Sequence, residues 1–138
     1  MKENRFYKTE RLCHKRDFEL LFEEQQSIFV YPFKVVFRTV DFIEKEELKL
    51  GISVSKRNFK RAVKRNYIKR RIREGFRLNK QALKTFLNEN HIGLHLLLVY
   101  VSKDTLEFSD VEPKIKLILE KVTKILHKDS SVDSVNTD

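Results

Sequence analysis

Between Ala62 and Glu74, in the stretch AVKRNYIKRRIRE, six of thirteen residues are Lys or Arg and only Glu74 is acidic. A guanidinium group is permanently charged and presents its donors in a planar fork that grips phosphate oxygens in pairs, whereas a lysine acts as a point charge. Asn66 adds an amide that can bond a phosphate oxygen or a base edge. Residues 56–80 hold twelve basic side chains (Lys56, Arg57, Lys60, Arg61, Lys64, Arg65, Lys69, Arg70, Arg71, Arg73, Arg77 and Lys80) against Glu74 alone. The other 113 residues carry 17 basic and 19 acidic groups, so the net charge of +9 comes from less than one fifth of the chain. That concentration is the footprint of a site for a polyanion, either nucleic acid or an anionic membrane surface.

Helical spacing sorts these side chains. At about 100° per residue, Asn66, Arg70, Arg73 and Arg77 share one stripe with Lys69 and Lys80 on its border, while Ile68, Ile72 and Phe76 fall on the other side. Arg65 lies beside the apolar face, so its head can reach around the helix end. A solvated helix face normally mixes signs, because like charges one turn apart cost roughly 0.2–0.5 kcal/mol per pair. Here that repulsion is left nearly uncorrected, and bound phosphates would reverse it. A helix lying on lipid needs a broad apolar face, whereas the narrow one here is required for packing. Nucleic acid is therefore the expected partner, with Lys56 and Arg57 at the end of the preceding strand as further phosphate contacts.

No catalytic constellation accompanies the basic segment. Metal-dependent phosphodiester cleavage needs converging carboxylates, but the acidic runs EKEE and DFELLFEE read as solvated surface. There is no Gly-rich phosphate loop and no Ser/His/Asp or Cys/His signature. His14, His91, His95 and His127 are scattered, and Cys13 reads as an apolar filler. No catalytic residue and no metal ligand is assigned to this chain. A single cysteine excludes an intramolecular disulfide and suits a reducing compartment. Neither a signal-peptide stretch nor a run of eighteen apolar residues occurs, so a soluble, cytoplasmic protein is expected.

The elements that must hold the basic segment are legible from hydrophobic period. RDFELLFEEQQ, 16–26, spaces Phe18, Leu21 and Phe22 as an amphipathic helix would. FKVVFRTV and LKLGISVSK read as two strands joined by EKEE, and SIFVY, 27–31, as a possible third before Pro32. The basic helix follows and is expected to run uninterrupted to Gly75, with a short helix in NKQALKTFLNEN behind it. GLHLLLVYVS is apolar almost throughout, the form of a strand covered on both faces. Ser109 and Glu112 read as a capping box before Val111, Ile115, Ile118, Val122 and Ile125, with Pro113 in the first turn. One domain over residues 1–127 is expected, with 128–138 as a disordered tail. The order is that of an α/β arrangement on one sheet, in which the basic helix crosses between two strands and packs through Ile68, Ile72 and Phe76.

LGISVSKRNFKRAVKRNYIKRRIRE, 50–74, resembles the signature of the bacterial ribonuclease P protein component. The shared pattern falls on Ala62, Arg65, Asn66, Ile68, Lys69, Arg70, Ile72 and Arg73. The resemblance continues through RLCHKRDFELLF, 11–22, and the order of elements to about residue 126. Tyr67 stands where the family usually carries a basic residue, and Phe59 lies in a connection that usually contains Gly. The resemblance implies an α+β sandwich with a single sheet of about four strands and a left-handed βαβ crossover through the basic helix, ribosomal protein S5 domain 2-like. It implies RNA contacts at Lys56, Arg57, Lys60, Arg61, Arg65, Asn66, Lys69, Arg70, Arg73 and Arg77.

The same resemblance implies a cleft for the 5′ leader of precursor tRNA, with Phe18, Phe22 and Phe37 as its aromatic members. Rings of this kind stack bases without regard to sequence. The implied partners are the RNase P catalytic RNA and precursor tRNA, with no membrane and no obligate protein partner. The implied cofactor is Mg²⁺, bound mainly by RNA, and the implied reaction is endonucleolytic removal of the leader by the ribonucleoprotein. A ribosomal or assembly RNA-binding protein is the principal alternative on the same residues. A self-sufficient nuclease lacks the acids, and a duplex-DNA regulator lacks a helix-turn-helix pairing or dimerisation heptad.

Overall fold

The computed structural model describes residue 11 and residues 15–24, 26–43 and 47–136. Four helices and four strands follow in the order α1 (Lys15–Glu24), β1 (Gln26–Val30), β2 (Phe33–Val40), β3 (Leu48–Val54), α2 (Ala62–Asn79), α3 (Gln81–Asn90), β4 (Gly93–Tyr100) and α4 (Phe108–Asn136). The strands form one mixed sheet in the order β1-β2-β4-β3, antiparallel except for the β3–β4 pair. SIFVY thus does supply an edge strand, β1, and the fold is α+β. β4 lies between β2 and β3, which explains why its sequence is apolar at nearly every position.

Strand register divides the side chains between two unlike faces. Phe33, Val35 and Phe37 of β2, Leu94, Leu96, Leu98 and Tyr100 of β4, and Leu48, Leu50 and Val54 of β3 point to one side. There they meet Ile68, Ile72 and Phe76 of α2, Leu83 and Leu87 of α3, and the apolar stripe of α4 from Val111 to Leu126. The predicted anchoring of the basic helix is realised, since Ile68, Ile72 and Phe76 are all buried in this core. On the opposite side a smaller cluster joins Leu21 of α1 to Val36 and Leu97. Three helices therefore cover one face of the sheet, and α1 lies on the other.

Two boundaries differ from expectation. Gly75 does not stop α2; it is buried inside the helix, and a Cβ there would lie 2.8 Å from Ile115 Cδ1, so its missing side chain lets α2 and α4 approach. The Ser109–Glu112 capping box is not made. α4 already starts at Phe108, with Val111 N–H on Glu107 O at 3.0 Å, and Glu112 accepts from Asn79 of α2 at 3.4 Å instead of reaching back. Pro113 is the sixth residue of α4, past the first turn expected for it, and lacks the N–H that would bond the carbonyl of Ser109. α4 extends to Asn136, into the segment expected as a disordered tail, and no Pro or Gly interrupts it after Pro113.

Candidate nucleic-acid interface

The interface begins where β3 ends. Ser55 closes a turn by accepting the Phe59 N–H at its carbonyl and the Arg57 N–H at its Oγ, both at 3.1 Å. Phe59 is buried against Tyr100, with ring centroids 6.1 Å apart, so the connection without glycine is anchored by an aromatic side chain. Lys56, Arg57, Lys60 and Arg61 are exposed around it. α2 therefore starts at Ala62, later than the sequence run suggests, with Arg61 as an N-cap that makes no side-chain cap bond. Arg65 reaches around the helix end as its angle foretold. Its Nη1 donates to Phe59 O at 2.8 Å and Lys60 O at 2.9 Å, so this side chain fixes the turn that presents its neighbours.

Beyond that turn the stripe separates into different environments. Asn66 and Arg70 are exposed, and Lys69 and Arg73 are half-buried. Arg11, bridged to Leu50 of β3, brings a second positive charge toward Arg73. Burial lowers the Arg73 guanidinium pKa from its ordinary value, and the charge of Arg11 lowers it further. A phosphate bound near both would relieve the repulsion. Arg77 is engaged at home: its Nη2 and Nε donate to the Glu74 carboxylate at 2.6 and 3.1 Å. These hydrogen bonds, and then the Arg77 charge, hold the Glu74 carboxyl below its usual range despite a counteracting desolvation, and the Arg77 pKa rises for the same reasons. Lys80, placed on the stripe's border by its angle, is instead fully buried where α2 meets α3.

The leader-cleft assignments fare unevenly. Phe18 and Phe22 belong to α1, but their side chains lie outside the described residues. Phe37 requires correction. It is 1 % exposed in the core under α2 and α4, because its register partner Leu96 points to that side while α1 packs against Val36 and Leu97 on the other. The sheet surface on the α1 side carries Lys34 and Arg38 of β2, Lys49 and Ser53 of β3, and Phe29 of β1, which is 61 % exposed. Sequence reasoning missed these residues, although the polar positions of FKVVFRTV and LKLGISV do recur at a spacing of two.

It also passed over Arg71, whose Nη1 donates to Leu106 O and whose Nη2 donates to the Tyr67 hydroxyl. The Tyr67–Arg71 spacing of four was the available signal. Among the described residues there is no group of three or more His, Cys, Asp or Glu placed to hold a metal ion. No described helix is long and apolar enough to cross a membrane.

A mixed four-stranded sheet that backs an arginine-rich helix on one face and leaves a cationic surface beside α1 on the other defines an α+β protein built to bind a polyanion. A family model described as Ribonuclease P matches residues 6–123, and the chain belongs to that family. It is 35% identical to the Ribonuclease P protein component of Porphyromonas gingivalis over 115 residues, 83% of this chain and 84% of the relative. The corresponding protein of Thermotoga sp. strain RQ2 is 34% identical over 123 residues, 89% of this chain and 94% of the relative. Among solved structures, the RNase P protein from Thermotoga maritima matches with TM-score 0.62 at 30% identity, covering 81% of this chain and 96% of that one. A Staphylococcus aureus RNase P protein mutant matches with TM-score 0.64 at 27% identity, covering 83% and 89%.

Proposed function

We propose that this ribonuclease P subunit joins a catalytic RNA through α2 and the turn before it, and receives the 5′ leader of precursor tRNA on the α1 side of the sheet. The observation that carries the reading is the division of α2: Ile68, Ile72 and Phe76 are spent on the core, while Asn66 and Arg70 stand exposed in a segment with twelve basic residues and one acid. Phosphate contacts of this kind position a folded RNA and make affinity strongly salt-dependent.

The chain binds and orients, and the RNA cuts. Mg²⁺ is held mainly by RNA phosphates in this scheme and supplies Lewis-acid chemistry at the scissile phosphate. The cationic row on the other face tracks the leader backbone without reading its sequence, which suits a substrate whose leader varies. The protein works in the cytoplasm.

Incubation of the protein alone with precursor tRNA and Mg²⁺, followed by addition of the cognate RNA, tests the division of labour. Cleavage at the mature 5′ end is expected only with the RNA present, and cleavage by the protein alone overturns the reading. Endogenous RNA recovered with the protein distinguishes the ribosomal alternative, which would bring down rRNA.

A further inference from the structure

Beside the arginine stripe, α2 carries a second exposed row that charge alone does not explain. Val63, Tyr67 and Arg71 follow at intervals of four and so lie one above another on the helix. Val63 is 79 % exposed and Tyr67 45 %, both within the most charged segment of the chain. The Arg71 guanidinium lies over the Tyr67 ring, 4.0 Å from its centroid. By its bond to Leu106 O, Arg71 also ties this ring to the β4–α4 connection.

That connection and the start of α2 enclose a groove of about 810 Å³. Lys60, Arg61, Val63 and Lys64 form one wall, and Lys103, Asp104 and Thr105 form the other. The second wall is built in advance. Tyr100 donates its hydroxyl to Asp104 O at 2.5 Å and accepts from Leu106 N–H at 3.3 Å, while Ser102 Oγ accepts the Asp104 N–H at 3.0 Å. Four cations against one carboxylate make the groove suited to an anion, and its volume falls within the range of small-ligand clefts, roughly 300–1,000 Å³.

We propose that this groove takes the phosphate of one unpaired nucleotide of the catalytic RNA among Lys60, Lys64 and Lys103, with the base leaving the groove past Val63 to stack on Tyr67, which stands one helical turn beyond its walls. The inference rests on the reading that α2 faces that RNA, and it adds a contact of a different kind. An aromatic ring backed by a guanidinium is a favourable surface for any base. Asp104, the one acid on the walls, can accept from a base amino group.

The test uses the full chain and its cognate catalytic RNA, with affinity measured across salt concentrations. Tyr67→Leu should weaken binding roughly five- to a hundredfold while leaving the slope of log affinity against log salt unchanged. Tyr67→Phe should bind within about threefold of the native chain, since stacking survives the loss of the hydroxyl. Lys103→Ala, on the wall away from the helix, should reduce the slope by about one. In base-specific chemical probing, one nucleotide should be shielded by the native protein and exposed again with Tyr67→Leu. Native affinity in Tyr67→Leu, equal losses in the Leu and Phe variants, or an unaltered slope in Lys103→Ala would each overturn the proposal. Failure of the native chain to bind the RNA overturns the functional reading instead, whereas Arg70→Ala behaving as expected beside a silent Tyr67→Leu removes only the groove.

Discussion

Arginines that look alike in the sequence are held in different ways, and the differences decide what each can contribute. Arg70 is exposed, Arg65 spends its guanidinium on two backbone carbonyls, and Arg77 grips Glu74. Arg70→Ala should therefore lower the salt slope of RNA binding by about one, the loss of a single phosphate contact. Arg77→Ala should leave the slope within error, because a carboxylate already neutralises that side chain. Glu74→Gln releases it, and binding should become tighter and the slope steeper. Filter binding at four or more salt concentrations measures all three. A slope that falls equally for Arg70→Ala and Arg77→Ala would mean that the Glu74 pair opens on binding. Acid acts on the same pair: with its carboxyl pKa lowered in the folded chain, the contribution of Glu74 to stability is present above the ordinary carboxyl range and is lost as pH falls through the depressed value.

Among the elements, the β4–α4 connection is held by two hydroxyls, of which that of Tyr100 spans the farther. Tyr100 is 1 % exposed, and it both donates to Asp104 O and accepts from Leu106 N–H. Tyr100→Phe leaves these backbone groups without that partner and should cost about 1–3 kcal/mol, read as a drop in the thermal midpoint. Burial raises the phenol pKa above its ordinary value of 10.0, outweighing the hydrogen bonds that lower it. A raised value favours the protonated folded form, so this contribution is complete below pH 10.0 and is lost as pH climbs through the folded value. The native chain should lose stability in that alkaline range more steeply than Tyr100→Phe, which has no phenol there to ionise. Gly93 is a second fixed point, since a Cβ would come within 2.7 Å of Asp41 O and Val40 Cγ2. Gly93→Ala should destabilise the start of β4, where it pairs with Val40, by roughly 1–3 kcal/mol, measurable by denaturant unfolding.

These elements also mark how far sequence reasoning reaches. The four-residue recurrence of Ile68, Ile72 and Phe76 identified the buried side of α2 because no other arrangement hides all three from water. The unbroken apolar run of β4 identified a central strand for a similar reason. FKVVFRTV was ambiguous, because Phe33, Val35 and Phe37 compete with Val36 for the larger core, and only pairing with β4 decides which parity α1 covers. Gly75 was read as a stop because composition does not register Ile115, forty residues away in sequence and in contact in space. The Glu74–Arg77 pair, three residues apart on one helix, was present in the sequence but hidden within the overall charge count.

Taken whole, the molecule keeps its two cationic surfaces apart by the thickness of a sheet. α2 and its preceding turn belong to one side, whereas Lys34 and Lys49 stand with α1 on the other. If the first surface holds the catalytic RNA and the second the leader, mutations on the two should act independently, as distant sites without shared partners do, within roughly 0.3–0.5 kcal/mol. Lys49→Ala combined with Lys34→Ala should weaken the assembled holoenzyme's affinity for precursor tRNA carrying a leader, by about 0.2–1 kcal/mol for each charge lost. Affinity for mature tRNA without a leader should not change, and neither should assembly with the catalytic RNA. Adding Arg70→Ala should impair assembly without deepening the leader defect once the complex is saturated with protein. Equilibrium binding of tRNAs with leaders of zero, two and eight nucleotides to wild-type and variant holoenzymes measures this. An equal loss for leaderless tRNA would move Lys34 and Lys49 out of a leader track and into general RNA attraction. A loss of additivity with Arg70→Ala would mean that the sheet transmits a change between its faces instead of separating them.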